Sequence, residues 1–165
     1  MTIEEHYNAI APKLTSYLVG TGTDYHAACD IVQETFLRLW RKRDELQDDP
    51  AQVSGYVYTI ARNLRADRLR RTARETLQEE ITDEDAGAVM PPDSSASDAA
   101  YLRRRLNDAL AQLPPLVREA FSLFQISELS VREIAHITGA TENLVKVRVH
   151  RAKQKLRELL ADVAS

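Results

Sequence analysis

Basic side chains recur at helical spacing near the carboxyl end of the chain. They follow one another at intervals of three or four residues, which places them on one face of a helix: Lys146, His150, Lys153 and Arg157. No acidic residue interrupts the stretch from 146 to 157. A merely solvated helix face mixes both charges, so this unbroken positive face favours binding to a polyanion. An ordinary solvated face is the alternative.

An apolar stripe on the same segment is expected to hold that basic face outward. Its members recur at intervals of four and three residues: Val145, Val149, Ala152, Leu156 and Leu159. Upstream, Ser130 and Glu133 stand at capping-box spacing, which predicts the start of a shorter helix. Gly139 allows that helix to end, and Thr141 caps the next one. Two such helices in succession are typical of a helix-turn-helix element that reads DNA.

The net charge of the whole chain conceals how the charges are distributed. The 165 residues carry a formal charge of −3, which by itself argues against a nucleic-acid partner. Yet residues 62–74 hold six arginines against the single acid Asp67, whereas residues 75–100 hold eight acids and no Lys or Arg. We therefore expect two basic surfaces joined by an acidic segment.

Several function classes are disfavoured by what the sequence contains. The single cysteine, Cys29, excludes an internal disulfide, and no apolar run is long enough to span a membrane, so we interpret the chain as cytoplasmic. His26 and Cys29 alone do not make a metal site, and Cys29 lies in register with apolar neighbours as a buried thiol. No catalytic constellation and no phosphate-binding Gly loop occur, so we expect neither an enzyme nor a cofactor.

The periodicity predicts an all-α fold of two small helical domains. Three helices are expected in residues 1–74, the second from Tyr25 to about Arg43 and the third ending near Thr72. Residues 75–98 combine dense negative charge with a Pro pair and little apolar content, as flexible linkers do. Residues 99–165 are expected to form the second domain, which contains the helix-turn-helix.

Two helices of the first domain carry unusual side chains. The second helix is predicted to bury Phe36 and Trp40. Its opposite face is predicted to expose a leucine among charges of both signs, a composition that suits protein binding. An ordinary solvated face is the alternative. The third helix groups tyrosines with cations and an amide, the types that stack on unpaired bases and hold phosphates: Tyr56, Tyr58, Arg62, Asn63, Arg65 and Arg68. At least one of these tyrosines is expected in the core.

Ordered motifs along most of the chain resemble those of the bacterial extracytoplasmic-function RNA polymerase sigma factors. They are DIVQETFLRLW at 30–40, YVYTIARNLRADR at 56–68, Leu113-Pro114 with Arg118, Glu133-Ile-Ala135, and VKVRVHRA at 145–152. The resemblance implies an initiation factor with sigma region 2 in residues 1–74 and region 4 in residues 99–165. The acidic linker is then expected to run toward the active-site cleft of the polymerase.

The resemblance also implies roles for individual residues. The face that docks on the clamp helices of the largest polymerase subunit comprises Asp30, Gln33, Glu34, Leu37, Arg38 and Arg41. Contacts to the melted minus-ten element are expected from Tyr58, Arg62, Asn63, Arg65 and Arg68. Contacts to the minus-thirty-five element are expected from Arg132, Thr141, Glu142, Asn143, Lys146, Val147, His150 and Arg151. The other side of region 4 is expected to meet the flap of the second-largest subunit.

This chain departs from the family pattern at the beginning of the recognition helix, the second helix of the predicted helix-turn-helix. Asn143-Leu144 stands in place of the usual Gly-Thr, and Val147 stands in place of Ser, so the promoter preference of the family does not transfer base by base. The resemblance further implies an anti-sigma factor as a partner. Two other classes stay open: a helix-turn-helix activator that binds duplex DNA without replacing a sigma factor, and, more weakly, an enzyme.

Overall fold

The structure, a computed structural model, describes residues 2–46, 49–78 and 98–164. Its regular elements in those ranges are all helical, as the sequence predicted. The first half of the chain forms α1 (Ile3–Gly20), α2 (Tyr25–Arg41) and α3 (Pro50–Gln78). The second half forms α4 (Asp98–Ala111), α5 (Pro115–Phe121), a π-helical turn (Ser122–Ile126), α6 (Val131–Thr138), α7 (Glu142–Leu159) and the short α8 (Ala161–Ala164).

Local side chains define where most of these helices begin. Thr2 forms a reciprocal capping box with Glu5 at the start of α1, and the Asp24 carboxylate accepts from the Ala27 amide at 3.1 Å to cap α2. Pro115 occupies the first turn of α5, where a missing amide leaves no intrahelical bond unmade. These short-range signals explain why the positions of the helices follow from the sequence.

The third helix is longer than its periodicity predicts. Instead of ending near Thr72, α3 continues to Gln78, because residues 73–78 contain no Gly or Pro to stop it and a solvated helix needs no apolar stripe. Helical structure therefore covers residues 75–78 of the expected linker, and α4 already begins at Asp98. The predicted linker otherwise lies outside the described residues.

One apolar core joins the two halves of the chain. It contains Leu14, Tyr17 and Leu18 of α1 together with buried residues of α2 and α3, and it continues into Leu123, Ile134 and other residues of the second half. A smaller cluster packs α4 and α5 against the later part of α7. The two halves, expected to be joined by a flexible linker, thus pack against each other in this structure.

The contact between the halves is close where α1 ends. A Cβ atom on Gly20 would stand 3.0 Å from Ile126 Cδ1 and 3.1 Å from Ser122 Oγ, both in the π-helical turn. Such a distance leaves no room for a side chain without displacement of a neighbour. Gly20 therefore allows α1 to pack against this turn.

Two expectations for α2 are wrong. Trp40 was expected in the core but is 52% exposed, and Cys29 is only partly buried. The buried stripe of α2 is centred on Ala28, Val32 and Thr35, so residues 29 and 40 fall at its edge. The Arg43 guanidinium lies over the Trp40 ring, 4.0 Å from its centroid, and covers part of that apolar surface.

Candidate nucleic-acid interface

The basic face of α7 is open to solvent. Thr141 Oγ1 accepts from the Leu144 amide at 3.1 Å and caps the helix, and the predicted stripe from Val145 to Leu156 is buried. The opposite side therefore points outward. All eight residues predicted to contact the minus-thirty-five element are exposed: Arg132, Thr141, Glu142, Asn143, Lys146, Val147, His150 and Arg151.

The short helix α6 holds α7 in the predicted helix-turn-helix arrangement. The Ser130 and Glu133 capping box forms with both bonds at 3.1 Å. Gly139 adopts a left-handed φ of 73°, which a residue with a Cβ reaches only at a cost, and this turn joins α6 to α7. One cation of the predicted basic stripe turns inward, because the Lys153 ammonium lies 4.9 Å from the centroid of the Phe124 ring.

The face of α2 that was predicted to bind a protein lies at the surface. Its six residues are exposed except for Glu34, which is partly buried. Glu34 accepts from Arg38 Nε at 3.2 Å, and Asp30 pairs with Arg68 of α3 at 3.6 Å. Leu37 of this face is an exposed large apolar side chain, and Trp40, beside the face, adds a second. The apolar area is therefore larger than the sequence indicated.

The cluster predicted on α3 is divided between solvent and the contact of the two halves. Asn63 and Arg68 are exposed. Tyr58 is 2% exposed and lies in the core, its ring centroid 5.8 Å from that of Tyr17. Burial raises the pKa of Tyr58 to about 12. In this arrangement of the halves, a base cannot stack on Tyr58.

Arg62 takes part in a polar cluster at the same contact. We call Tyr17, Arg62 and Glu119 the Glu119 cluster. Arg62 Nε donates to both carboxylate oxygens of Glu119 at 3.0 and 3.1 Å, and the Tyr17 hydroxyl donates to Glu119 Oε2 at 2.9 Å. Glu119 is 5% exposed. A buried carboxylate is tolerated because it has a cation and a hydroxyl as partners.

The electrostatics of the Glu119 cluster reflect burial and mutual contact. Burial alone lowers the pKa of Arg62, but the hydrogen bonds and negative charge of Glu119 outweigh it, so the pKa is raised. Burial, followed by the charge and hydrogen bond of Glu119, raises the pKa of Tyr17 well above its ordinary value. Both shifts favour the charged guanidinium and the neutral phenol that the cluster requires.

Two arginines extend this contact to backbone carbonyls at the end of α1. Arg118 Nε of α5 donates to the Gly20 carbonyl at 2.6 Å, and an Arg65 terminal nitrogen donates to the Thr21 carbonyl at 3.1 Å. Burial, then the nearby charge of Arg65, lowers the pKa of Arg118. Arg65, predicted to contact DNA, is therefore partly engaged within the protein.

Glu119 and Tyr17 are site residues that sequence reasoning missed. Glu119 lies between the buried residues Val117 and Phe121 of α5. Because α5 is only seven residues long, its sequence pattern does not show which of its charged side chains is buried. Tyr17 lies among the buried residues of α1, where the sequence does not distinguish it from an ordinary core residue. Their roles depend on partners 57 and 102 residues away along the chain, so no local pattern reveals them.

The described ranges offer neither a metal site nor a membrane-spanning helix. No group of three or more His, Cys, Asp or Glu side chains there is arranged to hold a metal ion. None of the helices within residues 2–46, 49–78 and 98–164 combines the length and apolar character that crossing a bilayer requires.

Comparison with known families identifies both halves. Residues 6–75 match the family described as sigma-70 region 2, and residues 103–156 match sigma-70 region 4. The first match disfavours the helix-turn-helix activator, because that alternative accounts only for the second half of the chain.

Individual proteins agree with this assignment over nearly the full chain. The ECF RNA polymerase sigma factor SigM of Bacillus subtilis is 29% identical over 160 residues, which cover 96% of this chain and 95% of SigM. SigL of Mycobacterium tuberculosis, also named as an ECF sigma factor, is 32% identical and covers 95% and 88% of the two chains. In a complex with the anti-sigma factor NepR from Bartonella quintana, the sigma factor RpoE is 26% identical with a TM-score of 0.79, covering 96% of each chain. This chain belongs to the ECF RNA polymerase sigma factors.

Proposed function

We propose that this chain directs core RNA polymerase to specific promoters through three surfaces on different helices. The exposed face of α2 docks on the polymerase, α3 contacts the melted minus-ten element, and α7 reads the minus-thirty-five duplex. The observation that carries the proposal is the outward basic face of α7 on a buried apolar stripe, in a chain that matches both sigma regions. In this proposal the factor works in the cytoplasm and catalyses no step itself.

The chemistry of α7 supports its assignment to duplex DNA. Its outward side presents Lys146, His150 and Arg151 without an intervening acid. Cations on a helix in the major groove bind phosphates and base edges, and the capped first turn is where such helices meet the bases. The residues assigned to this surface are the eight exposed ones named above.

The mixed face of α2 supports docking to a protein. Exposed Leu37 and Trp40 offer apolar area, and charges of both signs surround them. Interfaces between proteins combine an apolar centre, often with Trp or Arg, with a polar rim. We assign polymerase binding to Asp30, Gln33, Glu34, Leu37, Arg38 and Arg41, with the clamp helices of the largest subunit as the partner. The flap of the second-largest subunit is assigned to the other side of the second half.

The minus-ten surface needs a change in the arrangement of the halves. Asn63 and Arg68 are accessible, but Tyr58 is buried and Arg62 is held by Glu119. For all five assigned residues, including Arg65, to reach DNA, α5, the π-helical turn and α6 have to move away from α1 and α3. We propose that polymerase binding drives this separation and that an anti-sigma factor opposes polymerase binding.

Run-off transcription tests the function directly. Purified chain is added to core polymerase on linear genomic fragments, and specific transcripts should appear only in its presence. Absence of core binding at micromolar concentration, or activation that still needs a separate sigma factor, contradicts the proposal.

Paired substitutions test the docking face. Gln33→Ala with Arg38→Ala should weaken core binding, since both side chains lie outside the buried stripe of α2. Gln154→Ala with Arg151→Ala removes the same two residue types from α7 and serves as the matched control, measured without DNA. Equal affinities for both double variants, with circular dichroism showing intact helices, would exclude α2 as the docking surface.

The anti-sigma partner is tested in the native host. The Bartonella RpoE was solved in a complex with the anti-sigma factor NepR, and its similarity over 96% of this chain supports a partner of that class. Co-purification under non-inducing conditions should recover such a protein. Recovery of the chain only as free or core-bound protein counts against it.

A further inference from the structure

Two exposed apolar side chains lie on the outward side of α7, the side assigned to DNA. Leu144 is 39% exposed and Val147 is 41% exposed, although every other residue of the outward face in the first three turns is polar or charged. At 100° per residue, Val147 falls directly opposite the buried stripe from Val145 to Leu156. Val147 therefore occupies the most outward position of the helix, and Leu144 precedes it by one turn.

Cations surround these two side chains. Lys146 and His150 lie to one side of Val147, and Arg151 lies to the other, next to Leu144. A helix held over a groove by such cations brings its central outward residue nearest to the base edges, while the flanking cations approach the phosphates. The apolar pair thus lies where bases, and not the backbone, are contacted.

The chemistry of valine restricts which base it can favour. Its side chain has no hydrogen-bond donor or acceptor, and in a helix it holds essentially one rotamer. Placed against the amino group of cytosine or adenine, it would leave a desolvated donor without a partner. Placed against thymine, it meets the C5-methyl group, the one apolar group that a base presents in the major groove.

We infer that Val147 and Leu144 read thymine C5-methyl groups in the minus-thirty-five duplex and so set the base preference of this chain. The inference rests on the proposed function, because it names the chemical group that the proposed α7 surface recognises. The neighbouring cations supply affinity for phosphates, and the apolar pair supplies the discrimination between bases.

Removal of single methyl groups from the DNA tests the inference. Genomic fragments retained by the full chain with core polymerase define the bound minus-thirty-five sequence, and each thymine in it is then replaced by uracil, which lacks only the methyl. At two positions the replacement should weaken binding about fourfold, as expected for one buried methyl group. Thymines outside the element should tolerate the same change.

Substitutions in the protein then identify the residue that contacts each methyl. Val147→Ala should remove the effect of uracil at one position, and Leu144→Ala should remove it at a neighbouring position. Leu116→Ala, which shortens a 50% exposed leucine of α5, is the matched control and should leave every uracil effect unchanged. Both α7 side chains are exposed, so the fold should persist, as circular dichroism can verify.

The possible failures are distinguishable. A bound element without thymine, or one in which uracil has no effect at any position, overturns the inference while duplex recognition stands. The inference is also overturned if Val147→Ala leaves every uracil effect unchanged. Loss of core polymerase binding in Val147→Ala without DNA would assign the pair to a protein contact and also overturn it. If no fragment is retained at all, the proposed function itself fails.

Discussion

The two surfaces assigned to DNA have opposite accessibility in this structure. On α7, Lys146, His150 and Arg151 are exposed. On α3, Tyr58 is in the core and Arg62 is bonded to Glu119. Both surfaces were inferred from the same residue types, cations accompanied by aromatic or polar groups. Residue type alone therefore does not decide whether a basic surface is free.

The presence of an acid within reach explains the difference. The stretch from 146 to 157 contains no acid. Lys155 pairs with Glu158 just beyond it at 3.9 Å, while Lys146, His150 and Arg151 are exposed to an external polyanion. Arg62, the first arginine of the basic stretch of α3, lies against the second half, where the buried carboxylate of Glu119 accepts from it. The buried carboxylate of Glu119 needs the partly buried guanidinium of Arg62 as its partner, so this contact holds the halves together while it occupies Arg62.

The largest expected effect comes from removing the charge of Glu119. Glu119→Gln leaves Arg62 without its carboxylate and should destabilise the contact by about 2–3 kcal/mol, since breaking a largely buried pair strands the remaining charge. Small-angle X-ray scattering should report a larger radius of gyration, and the melting temperature should fall.

An exposed ion pair across the same contact is the control. Glu128 accepts from Lys13 at 3.2 Å, but both side chains are largely exposed, so Glu128→Gln should change stability by less than about 1 kcal/mol. The radius of gyration should increase in Glu119→Gln and not in Glu128→Gln. If it increases in both variants or in neither, the Glu119 cluster is not what holds the halves together.

Loss of a cation from the open surface should have the next largest effect. Arg151→Ala should weaken binding of the free chain to duplex DNA by about 1–3 kcal/mol if it contacts a base, or lower the salt slope by about one if it contacts a phosphate. Because α7 is already exposed, the loss should be the same in the Glu119→Gln background. A loss that appears only in the Glu119→Gln background would show that α7, too, is masked by the contact of the halves.

Two glycines offer a comparison of opposite sign. Gly20→Ala should destabilise the chain by about 1 kcal/mol, because its Cβ would press on Ile126 and Ser122. Gly55→Ala meets no atom within 4 Å and should stabilise α3 by about 0.5–1 kcal/mol. Chemical denaturation measures both values. A stabilising Gly20→Ala would show that α1 and the π-helical turn are not in close contact.

A further effect is expected only at alkaline pH. The pKa of Tyr58 is raised from 10.0 to about 12, chiefly by burial, so the folded state favours the neutral phenol. That contribution is complete below pH 10 and is lost as the pH rises toward 12. The scattering radius should therefore increase in this window, and less so in Tyr58→Phe. Tyr101→Phe, at an exposed position, should leave the transition unchanged.

Most of the helices could be predicted from local signals. The capping box of Ser130 with Glu133, the left-handed Gly139 and the stripe that begins at Val145 involve residues a few positions apart, and all three occur as expected. The end of α3 was not predictable in the same way. No Gly or Pro ends α3 at Thr72. The last turns of an exposed helix also carry no apolar periodicity from which their extent could be predicted.

By itself, the sequence determined the all-helical fold, the helix-turn-helix and the outward basic face of α7, because capping, periodicity and local charge act within a turn or two of the helix. Three outcomes depend on tertiary packing: Trp40 is exposed, Tyr58 is buried and Arg62 is bonded to Glu119. Those outcomes depend on which distant surface packs against each helix. The partners of Glu119 are 57 and 102 residues away, and such pairs form only when two apolar faces have brought them out of water together.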